Sequence, residues 1–156
     1  MRKKTKILFG ILGGITLYTI GMHVYDYYIR KEQVLTEARA YSASTGKPLL
    51  NVGSSCYCVG DINLDIINSG CCPNFVQGTI EDLSMFTDKQ FGAVFASHVL
   101  EHTEDPDKAL AEMNRVADNV FLVLPSWFNP FAWLTPEHKW VFWDHDNLNE
   151  RTMIRG

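Results

Sequence analysis

Two short apolar runs constrain the fold of this sequence more than any other feature. Residues 93–96 and 120–124 are apolar nearly throughout, which is typical of strands that helices bury on both faces. Between them, Asp105 can cap a helix that has Pro106 at its first position. The apolar residues of this helix fall on one face: Ala109, Leu110, Met113, Val116 and Ala117. Strand, helix and strand in this order predict a parallel α/β sheet.

Short runs of strand-forming residues, separated by turn residues, extend the same pattern toward the N-terminus. The strand candidates are residues 49–53, 61–66, 75–78, 93–97 and 119–125. With 156 residues, 46% of them apolar, the chain is long enough for one modest domain and too short for a two-domain enzyme. The formal net charge of −4 argues against nonspecific nucleic-acid binding, so no nucleic-acid partner is expected.

Residues 7–25 form a run of 19 residues without Asp, Glu, Lys or Arg. A helix needs about 20 apolar residues to cross a bilayer, and basic residues precede the run at Arg2, Lys3, Lys4 and Lys6. The run predicts an uncleaved N-terminal transmembrane anchor over residues 1–30, in contact with the lipid bilayer, in a single-pass membrane protein. A cleaved signal peptide and a buried soluble helix are the alternatives.

Gly10 and Gly14 form a G-x-x-x-G pattern that would let two such helices approach closely, either in a homodimer or with a membrane-protein partner. Residues 31–47 follow as a linker helix with an apolar stripe that packs on the domain or lies on the membrane surface. Residues 48–156 then form the globular domain with its aromatic C-terminal tail.

Three blocks of the sequence resemble a known family. Residues 49–53 read LLNVG, Asp65 follows in the second strand, and residues 91–102 read FGAVFASHVLEH. Together they resemble class I S-adenosylmethionine-dependent methyltransferases, in particular the small-molecule group called type 11, over residues 48–125. The resemblance implies a truncated Rossmann-like sheet of about five strands with flanking helices. It also implies S-adenosyl-L-methionine as the cofactor, and hence a cytosolic domain that methylates a small-molecule or lipid-like substrate.

The chemistry of an adenosyl cofactor assigns roles to two strand ends. Asp65 ends the second strand, where an acidic side chain can accept hydrogen bonds from both ribose hydroxyls. Gly53 ends the first strand, where the absence of a side chain lets the backbone approach the ligand. The resemblance further implies that Ile80 and Asp82 line the adenine.

Ser97 and His98 end the fourth strand, at the crevice where open α/β sheets bind their ligands. The methyl group is expected there, with Ser97 among the cofactor-binding residues. His98 is the candidate catalytic base, needed if the acceptor carries a proton, and His138 is the second choice.

Some positions depart from the family. Asn51, Thr79 and Gly92 stand where the family commonly has acidic residues. The interval from Gly53 to Asp65 is also too short for a normal crossover with its helix, so the first helix is predicted to be reduced or absent. These departures favour an alternative function, a catalytically degenerate methyltransferase fold that serves as a binding or assembly module.

Two groups of residues raise the question of metal binding. His98, Glu101 and His102 spell the H-x-x-E-H of inverted zinc peptidases, and some methyltransferases bind a divalent ion through E-x-x-E-H at this place. We nevertheless predict no metal, with Glu101 and His102 bracing the start of the helix. Four cysteines, at 56, 58, 71 and 72, have poor spacing for zinc. They are expected to be free thiols, with disulfides as the alternative outside the cytosol.

The tail after residue 125 is rich in aromatic residues interrupted by Pro130 and Pro136. Three placements are open: against the sheet, over the substrate pocket as a lid, or at the membrane interface, where tryptophan is favoured. The sequence as a whole predicts a membrane-anchored methyltransferase.

Overall fold

The computed structural model describes residues 3–144 and 147–155. Its elements in chain order are α1 (Lys3–Val24), a π-helical segment (Tyr25–Arg30), α2 (Lys31–Thr45), β1 (Leu49–Val52), β2 (Ile62–Asp65), β3 (Phe75–Gln77), β4 (Phe91–Ser97), a 3₁₀ turn (Leu100–His102), α3 (Pro106–Val116), β5 (Ala117–Val123), α4 (Pro130–Leu134), β6 (Trp140–Phe142) and β7 (Arg151–Met153). The division of the chain at residues 30 and 47 stays a prediction.

Strands β1 to β5 form one parallel sheet in the order β3-β2-β1-β4-β5. Leu50 of β1 lies between Ile62 of β2 and Val94 of β4. All five predicted strands are therefore confirmed, with ends that differ by at most two residues. The direction of winding reverses between β1 and β4, and ligands of such sheets bind in the crevice at the carboxyl ends of the strands.

The central strand β4 explains why the sequence has so long an apolar run. Residues 91–96 are all buried because helices cover both faces of the sheet. Val94 packs in a cluster with Met113 of α3, whereas Phe95, pointing the other way, packs with Leu35 of α2. Helix α3 begins as predicted, since the Asp105 carboxylate accepts hydrogen bonds from the backbone N–H groups of residues 107 and 108 at 3.1 Å each.

Helix α2 packs so closely on β4 that one position of the strand must be glycine. A Cβ atom at Gly92 would lie 2.3 Å from Thr45 Oγ1 and 2.9 Å from Ser42 Cα. The acidic residue common at this position in the family would not fit, so this departure has a packing cause rather than a functional one.

Replacement of Gly92 should therefore destabilise the protein without touching the candidate site. We expect Gly92→Ala to lower the free energy of unfolding by about 1–3 kcal/mol, the usual range for overpacking. Urea unfolding followed by circular dichroism measures the change, and Ser44→Ala on the exposed face of α2 is the control. Equal stability of the Gly92→Ala variant and the wild type would contradict the close contact.

The connection between β1 and β2 is held by side chains. The structure describes this stretch in full and it contains no helix, so the predicted loss of the first helix is confirmed. Asn51 donates from Nδ2 to the Tyr57 carbonyl at 2.6 Å and to Asn63 Oδ1 at 3.1 Å. Asn63 also accepts from the Gly60 N–H at 3.2 Å. Asn51 thus has a structural role in place of the acidic residue of the family.

The four cysteines form two disulfides, Cys56–Cys71 and Cys58–Cys72, with Cα–Cα distances of 5.2 and 5.1 Å. The prediction of free thiols is wrong. It relied on the compartment of the cofactor, whereas the deciding factor is that β2 pairs with both β1 and β3. This pairing brings the loop before β2 beside the loop after it, at distances that disulfides require.

Helix α1 includes most of the run that was predicted to form an anchor. Among the residues that the structure describes, no helix has both the length and the apolar character needed to span a bilayer. The predicted localisation as a single-pass membrane protein is therefore wrong, and no finding supports the lipid bilayer as a partner. The absence of charges was too weak a criterion, because four glycines, two threonines and a histidine lower the mean hydropathy of the run. Arg2, in its basic flank, lies outside the described residues.

The aromatic tail packs beside the end of β4. Phe142 is buried in the main core cluster, and the indole N–H of Trp140 donates to the Thr103 carbonyl at 3.0 Å. The backbone N–H of Lys139 donates to the Glu101 carbonyl at 2.7 Å. These contacts place the tail over the 3₁₀ turn, at the border of the crevice. None of the three placements considered from the sequence describes this position in full.

Candidate functional site

A cavity of about 330 Å³ lies at the carboxyl ends of β1 to β4. The loops that follow β1, β2 and β3 contribute one side of its wall. His98, the residues after the 3₁₀ turn and Lys139 of the tail contribute the other side. This is the crevice at which the sheet reverses its winding, and the volume falls within the range of about 300–1,000 Å³ that small-molecule pockets have.

Gly53 lies on the cavity wall in a conformation that other residues rarely adopt. Its φ angle is +64°, and a Cβ atom there would come within 2.2 Å of Val99 Cγ2. Both facts require glycine, because a side chain would be strained and would push against the loop after β4. The neighbour that requires glycine here is Val99, and the approach of a ligand to this backbone stays a prediction.

Asp65 ends β2 on the cavity wall. Its Oδ2 accepts the Ser55 N–H at 2.7 Å, and its Oδ1 accepts the Ile67 N–H at 3.1 Å. A carboxylate has about four acceptor sites, so two remain for a ligand after these bonds are made. The backbone donors fix the direction of the carboxylate and tie the loops after β1 and β2 to each other.

Of the two residues after β3 that were predicted to line the adenine, only one lines the cavity. Ile80 lies on the cavity wall with 4% of its surface exposed. Asp82 does not line the cavity. Hydrogen bonds from the hydroxyl and backbone of Ser84 hold the pKa of Asp82 below its usual value. Glu81 lines the cavity instead, and its Oε1 accepts the Asp105 N–H at 2.9 Å.

Of the two residues predicted at the end of β4, again only one lines the cavity. His98 lines the cavity, whereas Ser97 does not, and the buried Ser97 hydroxyl has no hydrogen-bond partner among the described residues. His98 has a φ angle of +56°, and strained backbone of this kind in a non-glycine residue is often found at functional sites. Its Nδ1 lies 3.4 Å from Glu101 Oε1, and its ring lies 5.6 Å from that of Tyr27 in the π-helical segment.

A cluster of titratable side chains continues from His98 into the protein. Glu101 is completely buried, and the ligand atoms of Glu101, His102 and His138 all lie within 4.8 Å of one another. Burial lowers the pKa of His138, because the charged imidazolium would lose its hydration. The residues of the H-x-x-E-H motif therefore lie close together, and His138 of the tail lies beside them.

Comparison with known proteins identifies the fold that carries this site. The family model described as a methyltransferase domain, type 11, matches residues 41–119, just over half of the chain. The chain belongs to this family. No curated protein matches the chain.

Two solved structures share features of this methyltransferase domain at low identity. One is the complex between the Haloferax volcanii Trm112 methyltransferase activator and a methyltransferase, with 12% identity, a TM-score of 0.37 and coverage of 62% of this chain and 55% of that chain. The other is a SAM-dependent methyltransferase of Thermotoga maritima, with 15% identity, a TM-score of 0.38 and coverage of 61% and 56%. The chain thus spans little more than half the length of either structure.

The cavity of the methyltransferase domain has the chemistry that S-adenosylmethionine, the cofactor implied by the family, requires. Gly53 contributes backbone without a side chain to the cavity wall, and Asp65 retains two acceptor sites. Ile66, with 64% of its surface exposed, lines the cavity and provides an apolar surface of the kind that an adenine ring requires. The carboxylate suits the ribose hydroxyls, and the apolar surface suits the adenine. The glycine keeps a side chain off the cavity wall. The residues therefore fit the cofactor.

Sequence reasoning missed several residues that line the site. Ile66 directly follows Asp65, and its place next to a strand-end aspartate is the sequence signal that could have identified it. His102 belongs to a motif that was noted but assigned to the helix start. Lys139 had no signal in the sequence, because it reaches the cavity only through the packing of the tail on the 3₁₀ turn.

Proposed function

We propose that this methyltransferase domain binds S-adenosylmethionine in the cavity at the ends of β1 to β4 and transfers its methyl group to a small-molecule acceptor. The observation that carries the proposal is the pair of open acceptor sites on Asp65, at the end of β2 and on the wall of a cavity of about 330 Å³. The cofactor supplies a methyl group that its sulfonium makes electrophilic. The residues of the chain bind the reactants and accept one proton from the methyl acceptor.

Binding rests on the two strand ends. The Asp65 carboxylate accepts hydrogen bonds from the ribose hydroxyls. The N–H groups of Ser55 and Ile67 donate to the same carboxylate and fix its direction. Gly53 presents its backbone on the cavity wall, and Ile66 and Ile80 line the same cavity, where we place the adenine. Such positioning, together with exclusion of water, supplies most of what a methyl transfer requires.

His98 is the proton acceptor in this proposal. Its ring lines the cavity, and Nδ1 faces the Glu101 carboxylate at 3.4 Å. The carboxylate favours the tautomer with the proton on Nδ1, which leaves the lone pair on Nε2. Nε2 has no hydrogen-bond partner among the described residues. Nε2 is also buried, so an acceptor such as a hydroxyl or an amine must displace its cover to give it a proton when the acceptor binds.

Titration calorimetry with S-adenosylmethionine tests the binding step. We expect one site, and we expect Asp65→Ala to weaken binding by about 1.5–3 kcal/mol, or about 10- to 150-fold, because charge-assisted hydrogen bonds to the ribose are lost. Asp65→Asn, which keeps the shape and one acceptor atom for the loop, should weaken binding less while leaving the unfolding midpoint nearer that of the wild type.

Asp118→Ala is the matched control, because this aspartate pairs with Lys47 at 2.7 Å and does not line the cavity. It should bind the cofactor as the wild type does. If Asp65→Ala binds S-adenosylmethionine with unchanged affinity, the assignment of β2 as the ribose-binding strand is wrong.

A further inference from the structure

Glu101 lies in an environment that is unfavourable for a charged side chain. Its side chain is completely buried, and neither carboxylate oxygen has a hydrogen-bond partner. Burying an ionised carboxylate without compensation is very unfavourable, so such groups are paired, protonated or bound to a metal ion. The nearest positively charged candidate is His98, whose Nδ1 lies 3.4 Å from Oε1. This contact leaves Oε2 without any partner.

Two histidines border the same carboxylate, and the backbone fixes the tautomer of each. His102 Nδ1 lies 3.0 Å from the Glu137 carbonyl, and His138 Nδ1 lies 3.0 Å from the Ala132 carbonyl. A carbonyl only accepts hydrogen bonds, so Nδ1 carries the proton on both rings and Nε2 keeps its lone pair. This is the arrangement that orients histidines in metal sites, where the nitrogen away from the metal donates to a backbone carbonyl.

We propose that Glu101, His102 and His138 bind a divalent transition-metal ion. Two neutral imidazoles and one carboxylate form a ligand set that suits zinc and cobalt, and three protein ligands are typical of sites that keep a position open. The three ligand atoms lie within 4.8 Å of one another. Ligands about 2.1 Å from a tetrahedral ion are about 3.4 Å apart, so small side-chain movements close the site.

The position of His102 gives the ion access to the cavity. His102 lines the cavity wall, while Glu101 and His138 lie behind it in the protein. A coordination position left open on the side of His102 would therefore face the cavity, where the acceptor is proposed to bind. Resting on the proposed function, this geometry indicates an acceptor with a hydroxyl group, because an ion bound to oxygen makes that hydroxyl more acidic.

The tail is essential to this site. His138 is placed by the hydrogen bond between the Lys139 N–H and the Glu101 carbonyl, at 2.7 Å, and by its own bond to Ala132. A site built from two residues of the 3₁₀ turn and one residue of the tail forms only in the folded chain. Metal binding should consequently stabilise the fold, since ions that bind the native state alone shift unfolding by mass action.

Cobalt is the probe for the site because its visible absorption reports the coordination directly. We expect the chelator-treated full chain, without S-adenosylmethionine, to bind one equivalent of Co²⁺ with d–d bands in the visible, and Zn²⁺ to displace it. Glu101→Gln and His138→Gln should each weaken Co²⁺ binding by about 100-fold or more, beyond the 10- to 100-fold typical of residues that only support a ligand. His23→Gln, outside the cluster, should bind as the wild type does.

The open position has its own measurement. Acetohydroxamate, which binds metals through oxygen, should change the Co²⁺ spectrum of the wild-type protein. An unchanged spectrum would contradict the open position. Thermal unfolding with and without Zn²⁺ gives a second readout: the midpoint should rise in the wild type and not in Glu101→Gln.

Absence of stoichiometric Co²⁺ and Zn²⁺ binding in the folded wild type would overturn the site and leave the contact with His98 as the explanation of Glu101. The same result follows if both Gln variants, shown to be folded by circular dichroism, retain wild-type affinity. Because these measurements use no cofactor, a failure of S-adenosylmethionine to bind would reject the proposed function and leave the metal site intact.

Discussion

Replacement of His98 by alanine should reduce methyl transfer by about 100- to 10,000-fold, the contribution that a positioned general base makes to proton transfer. The His98 ring lies on the cavity wall, its buried Nε2 lacks a hydrogen-bond partner among the described residues, and its Nδ1 lies 3.4 Å from Glu101 Oε1. Alanine removes the proposed acceptor of the proton and leaves Asp65 and Gly53, the proposed cofactor-binding residues, in place. The rate should fall while the affinity for S-adenosylmethionine stays unchanged.

Transfer of a labelled methyl group to small-molecule, lipid and protein fractions of a cell extract measures this effect. The initial rate of label incorporation is compared between the wild type, His98→Ala and His23→Gln, the last of which removes a histidine from α1. An unchanged rate in His98→Ala would exclude its role as a base. Cofactor binding without incorporation into any fraction would favour the alternative of a binding or assembly module.

The sheet and α3 are predictable from sequence because their signals are local. A strand covered on both faces is apolar at every position, as residues 91–96 are, and this pattern needs no knowledge of the partner elements. Asp105 and Pro106 mark a helix start through bonds made within two or three residues. The cavity-lining positions of Gly53, Asp65 and His98 follow from the strands, because parallel strands bring their carboxyl ends to one edge.

The rest of the site depends on contacts between distant parts of the chain. Asp82 and Glu81 are adjacent acids in the sequence, and only the bonds to Ser84 and to the Asp105 N–H decide which one lines the cavity. His138 and Lys139 approach the cavity through the packing of the tail on the 3₁₀ turn. No periodicity encodes such placements, so the sequence left the tail with three alternatives.

The two disulfides are expected to stabilise this fold strongly. Cys56–Cys71 and Cys58–Cys72 close loops with sequence separations of 15 and 14 residues around β2. A disulfide that closes a loop of about 15 residues stabilises a fold by about 3 kcal/mol, mainly by restricting the unfolded chain. Removing both should lower the free energy of unfolding by at least about 3 kcal/mol, the second contributing less because the loops overlap.

Chemical unfolding with and without reductant separates this effect from that of the serine substitutions. The wild type should lose stability when reduced, whereas a variant with serine at all four positions should start lower and not respond to reductant. The loops that these bonds hold together carry Ser55, whose N–H directs the Asp65 carboxylate. Reduction should therefore also weaken S-adenosylmethionine binding, because an unrestrained loop must be ordered when the ligand binds. A wild type with equal stability in both conditions would show that the asparagine pair, Asn51 and Asn63, holds this connection by itself.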